Sequence, residues 1–212
     1  MKIEDFYRYV AVECPGAPDE LLRQAIVQTA KDFCSRTHAW NEIQDPIDLV
    51  SDEADYDLEF PAGASPITVD KMWCGGRQLT AVTMAQIGNT LPDWRTATST
   101  APLYFNMANS LSSVRVFPTP KDPTEQLVLQ VVFEPALAAT TLPDFLLDGH
   151  SELIATGAKG RLMLMHNKQW SNAPIGAAYR DAFDNGVVDE RIKILHDRVP
   201  GTIRVQPRRF GA

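Results

Sequence analysis

The sequence predicts an α+β fold: terminal helices forming a helical bundle, a small inserted antiparallel β domain, and an extended C-terminal arm. Three observations lead there. Apolar residues recur at helical spacing near both ends, ten of the fifteen prolines fall between Pro46 and Pro143, and the last residues alternate in polarity with no partner strand nearby. Helical stripes flanking a proline-punctuated stretch of short alternating runs read as helix, strand and helix blocks. The expected boundaries are 1–40 and 144–197 for the bundle, 41–143 for the β insertion and 198–212 for the arm.

Taken in order, Ile3, Phe6, Tyr7 and Val10 share one helical face, and Cys14-Pro15-Gly16 should stop that helix. Pro18 then occupies a favoured first helical position, with Asp19 and Glu20 at the positive end of the dipole. Leu22, Ile26, Thr29, Ala30, Phe33 and Thr37 form its apolar stripe, so a helical hairpin ending near Trp40 is expected. From Asn41 the period changes. Tyr56, Leu58 and Phe60 alternate with acids as on a strand with one wet face, and Cys74-Gly75-Gly76 offers the positive φ angles of a tight hairpin between 67–73 and 77–80. Residues 80–87 suit one or two turns of helix. Leu103-Tyr104-Phe105 forms a further short apolar run. Ser113 to Phe117 and Gln126 to Phe133 read as a second hairpin across a proline turn, closed at Glu134-Pro135.

Helix returns from Asp144 to His166, with Leu146, Leu153, Ile154, Ala158, Leu162 and Met165 near helical spacing. Gly157 and Gly160 inside it each cost about 1 kcal/mol relative to Ala, so a closely packed neighbouring helix is the expected compensation. A last helix from about Pro174 to Asp197 has Asn172 as its cap and an inner pattern of Ile175, Tyr179, Ala182, Phe183, Val187, Ile194 and Leu195. Pro200-Gly201 ends it.

Composition excludes several classes of function. The longest apolar runs fall far short of the roughly 20 residues of a membrane span, and Met1 opens a mixed-charge segment with no signal-peptide pattern, so a soluble, non-exported chain is expected. A net charge of −7 counts against a protein whose main task is to grip nucleic acid. The charge is also unevenly placed. Residues 41–60 hold eight acids and no Lys or Arg, whereas the last fifteen residues hold four arginines and no acid. Such polarity suits subunits that meet head to tail.

Catalytic and metal motifs are missing. Cys14, Cys34 and Cys74 are odd in number and widely spaced, as buried free thiols are, and Cys34 lies within an amphipathic stripe rather than in a thiolate setting. His38, His150, His166 and His196 have no ligand spacing and read as helix-surface or helix-end residues. The acids from Asp52 to Glu59 lack the turn glycine and terminal Glu of an EF-hand and read as a solvated strand face. Phosphate loops and the G-x-S-x-G elbow are absent. No catalytic residue, cofactor or metal is therefore expected. The best interaction candidate is the tail, where Arg204, Arg208 and Arg209 stand beside Ile203, Val205 and Phe210, apolar residues that gain from being covered by a partner.

Three segments carry a family resemblance. Pro15 to Trp40 (PGAPDELLRQAIVQTAKDFCSRTHAW) resembles the N-terminal helix of tailed-phage head-to-tail adaptors of the tail tubular type. Val114 to Pro120 (VRVFPTP) followed by Leu127 to Pro135 (LVLQVVFEP) resembles that family's proline-bounded hairpin. Leu142 to Met165 and then Gln169 to Phe183 resemble its paired C-terminal helices. The resemblance implies a non-enzymatic virion subunit in the neck and tail region, made in the host cytoplasm. It implies a ring, usually of twelve copies, between the portal protein and the tail nozzle protein, with double-stranded DNA passing through the lumen without sequence-specific binding. It implies no membrane contact. Two alternatives stand beside it: another neck ring protein, of the head-completion or tail-terminator kind, and a hydrolase using Cys34 or a histidine.

Overall fold

The computed structural model describes residues 2–107 and 111–196. A 3-10 turn, Ile3–Phe6, leads into the short helix α1 (Tyr7–Val10) and then the long helix α2 (Asp19–Thr37). The strands β1 (Asn41–Ile43), β2 (Ile47–Asp48), β3 (Asp55–Asp57), β4 (Ala64–Cys74), β5 (Arg77–Gln78) and β6 (Thr80–Ala81) follow. After helix α3 (Met84–Thr90) come β7 (Thr98–Ser99), β8 (Tyr104–Met107), β9 (Ser113–Phe117), β10 (Thr119–Pro120) and β11 (Gln126–Pro135). Helices α4 (Asp144–Met163) and α5 (Ala173–Leu195) complete the described chain, which is α+β.

Local chemistry sets most of these ends. Pro18 is the N-cap of α2 rather than its first residue, and His38 stops the helix in the left-handed region at φ 58°, its N–H bonded to the Cys34 carbonyl. Thr83 and Gln86 cap α3 reciprocally, each side chain accepting from the other's backbone N–H. The Asn172 side chain accepts from the Ile175 N–H at 3.3 Å and starts α5. Gly75 and Gly76, both at positive φ, turn β4 into β5.

One sheet runs in the order β1-β11-β4-β5, with β2 also paired to β11, and another runs β3-β9-β8-β6. The expected hairpin of 113–117 with 126–133 does not form, because β9 pairs with β3 and β8 while β11 pairs with β4, β1 and β2. The reason is burial. Strand β11 is apolar enough to need neighbours along its whole length, and the eleven-residue β4 covers it where the five-residue β9 would not. Nor are the strands purely antiparallel: β6 with β8 and β7 with β10 are short parallel pairs.

Helix α2 packs against β11 and also against α4 and α5. Its whole expected stripe is buried, and Ala25, Val27 and Cys34 beside it are buried too, so two faces of this helix are covered. A single hydrophobic cluster runs from Ile3 through α2 into both sheets and the last two helices. The inner face of α5 differs from the expected one. Gly176, Phe183, Val187 and Glu190 are its buried residues, whereas Ile175 and Leu195 are exposed. Glycines let α4 and α5 approach closely, and the close approach selects that seam. A Cβ on Gly160 would lie 3.2 Å from the Arg180 nitrogen and the Gly176 carbonyl, and one on Gly157 would lie 2.5 Å from Thr29 and 2.7 Å from Phe183.

Two glycines of α4 should thus respond oppositely to alanine. Gly157→Ala overpacks the seam and is expected to lower stability by about 1–3 kcal/mol. Gly149→Ala, in the same helix with nothing within 4 Å, is expected to raise stability by about 0.5–1 kcal/mol. Urea unfolding of both variants measures the two signs.

Candidate functional site

The residues that carry titratable chemistry are mostly spent on packing. Cys34 is 0% exposed, and burial, with the Glu134 charge second, pushes its thiol far above the ordinary range. Cys14 and Cys74 are also buried, and burial raises both. His38 and His196 cap helices, and His166 lies in the exposed turn beyond α4. His150 departs from the expected surface position. It is 8% exposed, 4.7 Å from the Phe33 ring and 4.0 Å from the Glu190 carboxylate, because α4 presents that face to α2 and α5. Among the described residues no group of His, Cys, Asp and Glu has the arrangement of a metal site.

The acid run does form a strand face, but a short one. On β3, Asp55 and Asp57 are exposed on either side of buried Tyr56, whose hydroxyl donates to the Glu53 carbonyl at 2.9 Å. Leu58 and Phe60 lie beyond the strand; Phe60 packs edge-on against Phe133 at 5.8 Å. The Arg115 guanidinium takes Asp55 with two hydrogen bonds, which, against a smaller effect of burial, hold that carboxyl below its ordinary value.

Ion pairs tie the three long helices together. Asp32 of α2 accepts from Arg161 of α4 at 2.9 Å and stands 3.9 Å from Arg180 of α5. Asp184 of α5 accepts from Arg36 at 2.5 Å and from Arg180 at 3.2 Å, and the Arg36 bond is the main reason its carboxyl is held low. Glu13 is held low by hydrogen bonds from Lys159 and Tyr179.

Among the hollows of the described surface, two have contrasting linings. One of about 350 Å³ is lined by Asp45, Asp57 and Glu59 with Ile47 and Leu58. The other, about 310 Å³, is lined by Trp94, Arg95, Arg115 and Phe117 with Ala54 and Thr119. An exposed apolar stripe of Val188, Ile192 and Leu195 lies on the last turns of α5. The tail candidates Ile203, Arg204, Val205, Arg208, Arg209 and Phe210 lie outside the described residues. The capping box and the Trp94–Arg95 hollow escaped sequence reasoning. The box was legible as Thr83-Met84-Ala85-Gln86, a Thr followed three residues later by a Gln; the hollow joins residues far apart in sequence and left no local signal.

Buried thiols, ion pairs between helices and unlike surface hollows are what the described residues present. The SU10 adaptor protein family model matches residues 1–206, so the chain belongs to that family, whose role is that of a structural phage head-to-tail adaptor of the virion neck. No curated protein matches the chain. Among the described residues no helix is long and apolar enough to cross a membrane.

The depressed carboxyls fix the sign of an acid response. Groups held below their unfolded pKa stabilise the fold at higher pH, and that contribution is lost as pH falls through the folded value. Thermal midpoints should therefore hold above about pH 5 and fall below about pH 4, the ordinary carboxylate range. Asp184→Asn should lower the midpoint at neutral pH and flatten the acid limb, as melting curves across that range would show.

Proposed function

We propose that the chain is a head-to-tail adaptor of the tail tubular type, whose copies form a ring, dodecameric by family resemblance, between the portal protein and the tail nozzle protein. The observation that carries this reading is the adaptor family match across residues 1–206. Double-stranded DNA passes through the lumen without sequence-specific binding, a reading supported by the −7 balance, since carboxylates repel phosphate and let the duplex slide. In the same reading, 1–40 and 144–197 act as one helical unit, 41–143 is the insertion and 198–212 is the arm. The mutual packing of α2, α4 and α5 supports the first part.

The ring completes on its template: the chain alone is a monomer or weak oligomer. Mixing purified chain with the virus's portal and imaging by electron microscopy tests this. Rings on the portal are expected. A chain that binds tail but not portal is a tail-terminator kind of ring protein instead, and a stable dodecamer at low concentration without portal contradicts templating.

The arm docks on the portal through Ile203 and Val205, which suit an added strand, and Arg204, Arg208 and Arg209, which suit carboxylates. Ordering such a segment costs about 1–2 kcal/mol per residue in backbone entropy, so its contacts must be numerous. Deleting residues 201–212 should leave melting unchanged and weaken portal attachment. Undiminished attachment, or failure to fold, counts against the arm.

A further inference from the structure

The hollow at Trp94 and Arg95 has the construction of a preformed acceptor for a carboxylate. Phe117 is 2% exposed and takes the edge of the Trp94 ring at 5.5 Å and 86°, fixing the indole on β9. The Arg95 guanidinium lies 4.6 Å from the centre of that ring. The turn that carries both residues is tied down at its far end, where the Thr119 N–H donates to the Ala97 carbonyl at 3.1 Å and β7 pairs with β10. Arg115, across the hollow, is already committed to Asp55. Among the described residues Arg95 has no ion pair, so it is the guanidinium left to receive an anion. An arginine stacked on an indole has lost much of its rotamer freedom before any partner arrives, and Trp and Arg in such settings dominate interface energetics.

The complementary surface is on the same chain. Asp45, Asp57 and Glu59 line the acidic hollow, and among the described residues these three have no ion pair. The two hollows flank strand β3 without sharing a lining residue, and their charges are complementary, so one copy can give with one what another receives with the other.

We propose that the Trp94–Arg95 hollow receives carboxylates from the Asp45, Asp57 and Glu59 surface of a second copy of this chain. The inference rests on the ring reading above and names the contact that closes it. Charge reversal tests it in the full-length chain, with rings on the purified portal counted by electron microscopy and subunit association followed by sedimentation. Arg95→Glu alone, and the triple change Asp45→Lys, Asp57→Lys and Glu59→Lys alone, should each weaken lateral association about tenfold or more. Mixing the two variants, or placing all four changes in one chain, should restore it, because every new contact is again between opposite charges. Melting curves matching the wild type separate lost contacts from lost folding.

A wild-type ring that tolerates Arg95→Glu overturns the inference and leaves the ring reading standing. So does loss of assembly that the mixture does not restore, which assigns the hollow to another partner. DNA retention by wild type that Arg95→Glu abolishes, with rings intact, likewise overturns it in favour of phosphate. A wild-type chain that forms no ring with portal overturns the ring reading itself and the inference with it.

Discussion

Leu127, Leu129, Val131, Val132 and Phe133 of β11 are each at most 1% exposed, so this strand must be covered on both faces. Burying each such side chain is worth about 1.5–3 kcal/mol. Strand β4 supplies the long pairing partner, β1 and β2 supply the other edge, and α2 packs on the strand. The pairing to β4 skips Asp70 and Ile67, so both irregularities place their extra residue on β4, while coverage of both faces of β11 buries Val131, Val132 and Phe133 in succession. Trp40 and Phe60 close on Phe133 at 5.6 and 5.8 Å, and Lys31 of α2 reaches Glu134 at 2.9 Å. Both layers of the molecule therefore meet on one strand, and the helices sit where α2 is held against it.

That arrangement explains which parts of the fold were legible in the sequence. Elements fixed by their own residues were readable: the Gly75-Gly76 turn, the Asn172 cap, and the stripe of α2, all of whose six members are buried. The glycine pair in α4 was readable as a request for a close neighbour, and Thr29 and Phe183 fill that role. Partner choice was not readable. The proline turn after Phe117 suggested a hairpin to the next strand, but the order of strands depends on which surfaces β11 must hide. The seam of α5 was misread for a related reason. Its buried line includes Gly176 and Glu190, so hydrophobicity does not mark it, and Ile175 and Leu195 fall outside it. Of the candidate site, the uneven charge was plain in the sequence, whereas the hollow at Trp94 joins Ala54, β9, β10 and a turn that only the fold brings together.

Charge has two separate uses here. Within the helical layer, Asp32 and Asp184 gather Arg36, Arg161 and Arg180 at the junction of α2, α4 and α5. These side chains are partly exposed, so each pair adds little stability alone; as a connected set they fix how the helices are rotated against one another. In the β layer the acids of residues 41–60 mostly face solvent, and only some find a partner within the chain, such as Asp55 with Arg115 and Asp48 with Gln126. Self-repulsion among the remainder opposes compaction and favours any contact that brings cations to them.

Buried polar side chains gather in this chain where the helices join. Thr29 and Thr37 return their hydroxyls to the Ala25 and Phe33 carbonyls at 2.7 Å, and Arg161 and Arg191 of the last two helices bond to Thr29 and to the Thr37 carbonyl. His150 and Glu190 lie beneath the same junction, and Cys34 lies within α2 beside it. Polar groups buried in this way make the helix packing specific, since a rotated or shifted helix would leave them without partners. The hollows at the surface draw instead on exposed arginines and carboxylates that the fold leaves accessible. Interior polarity thus fixes how the helices pack, while the outer charges remain accessible at the surface.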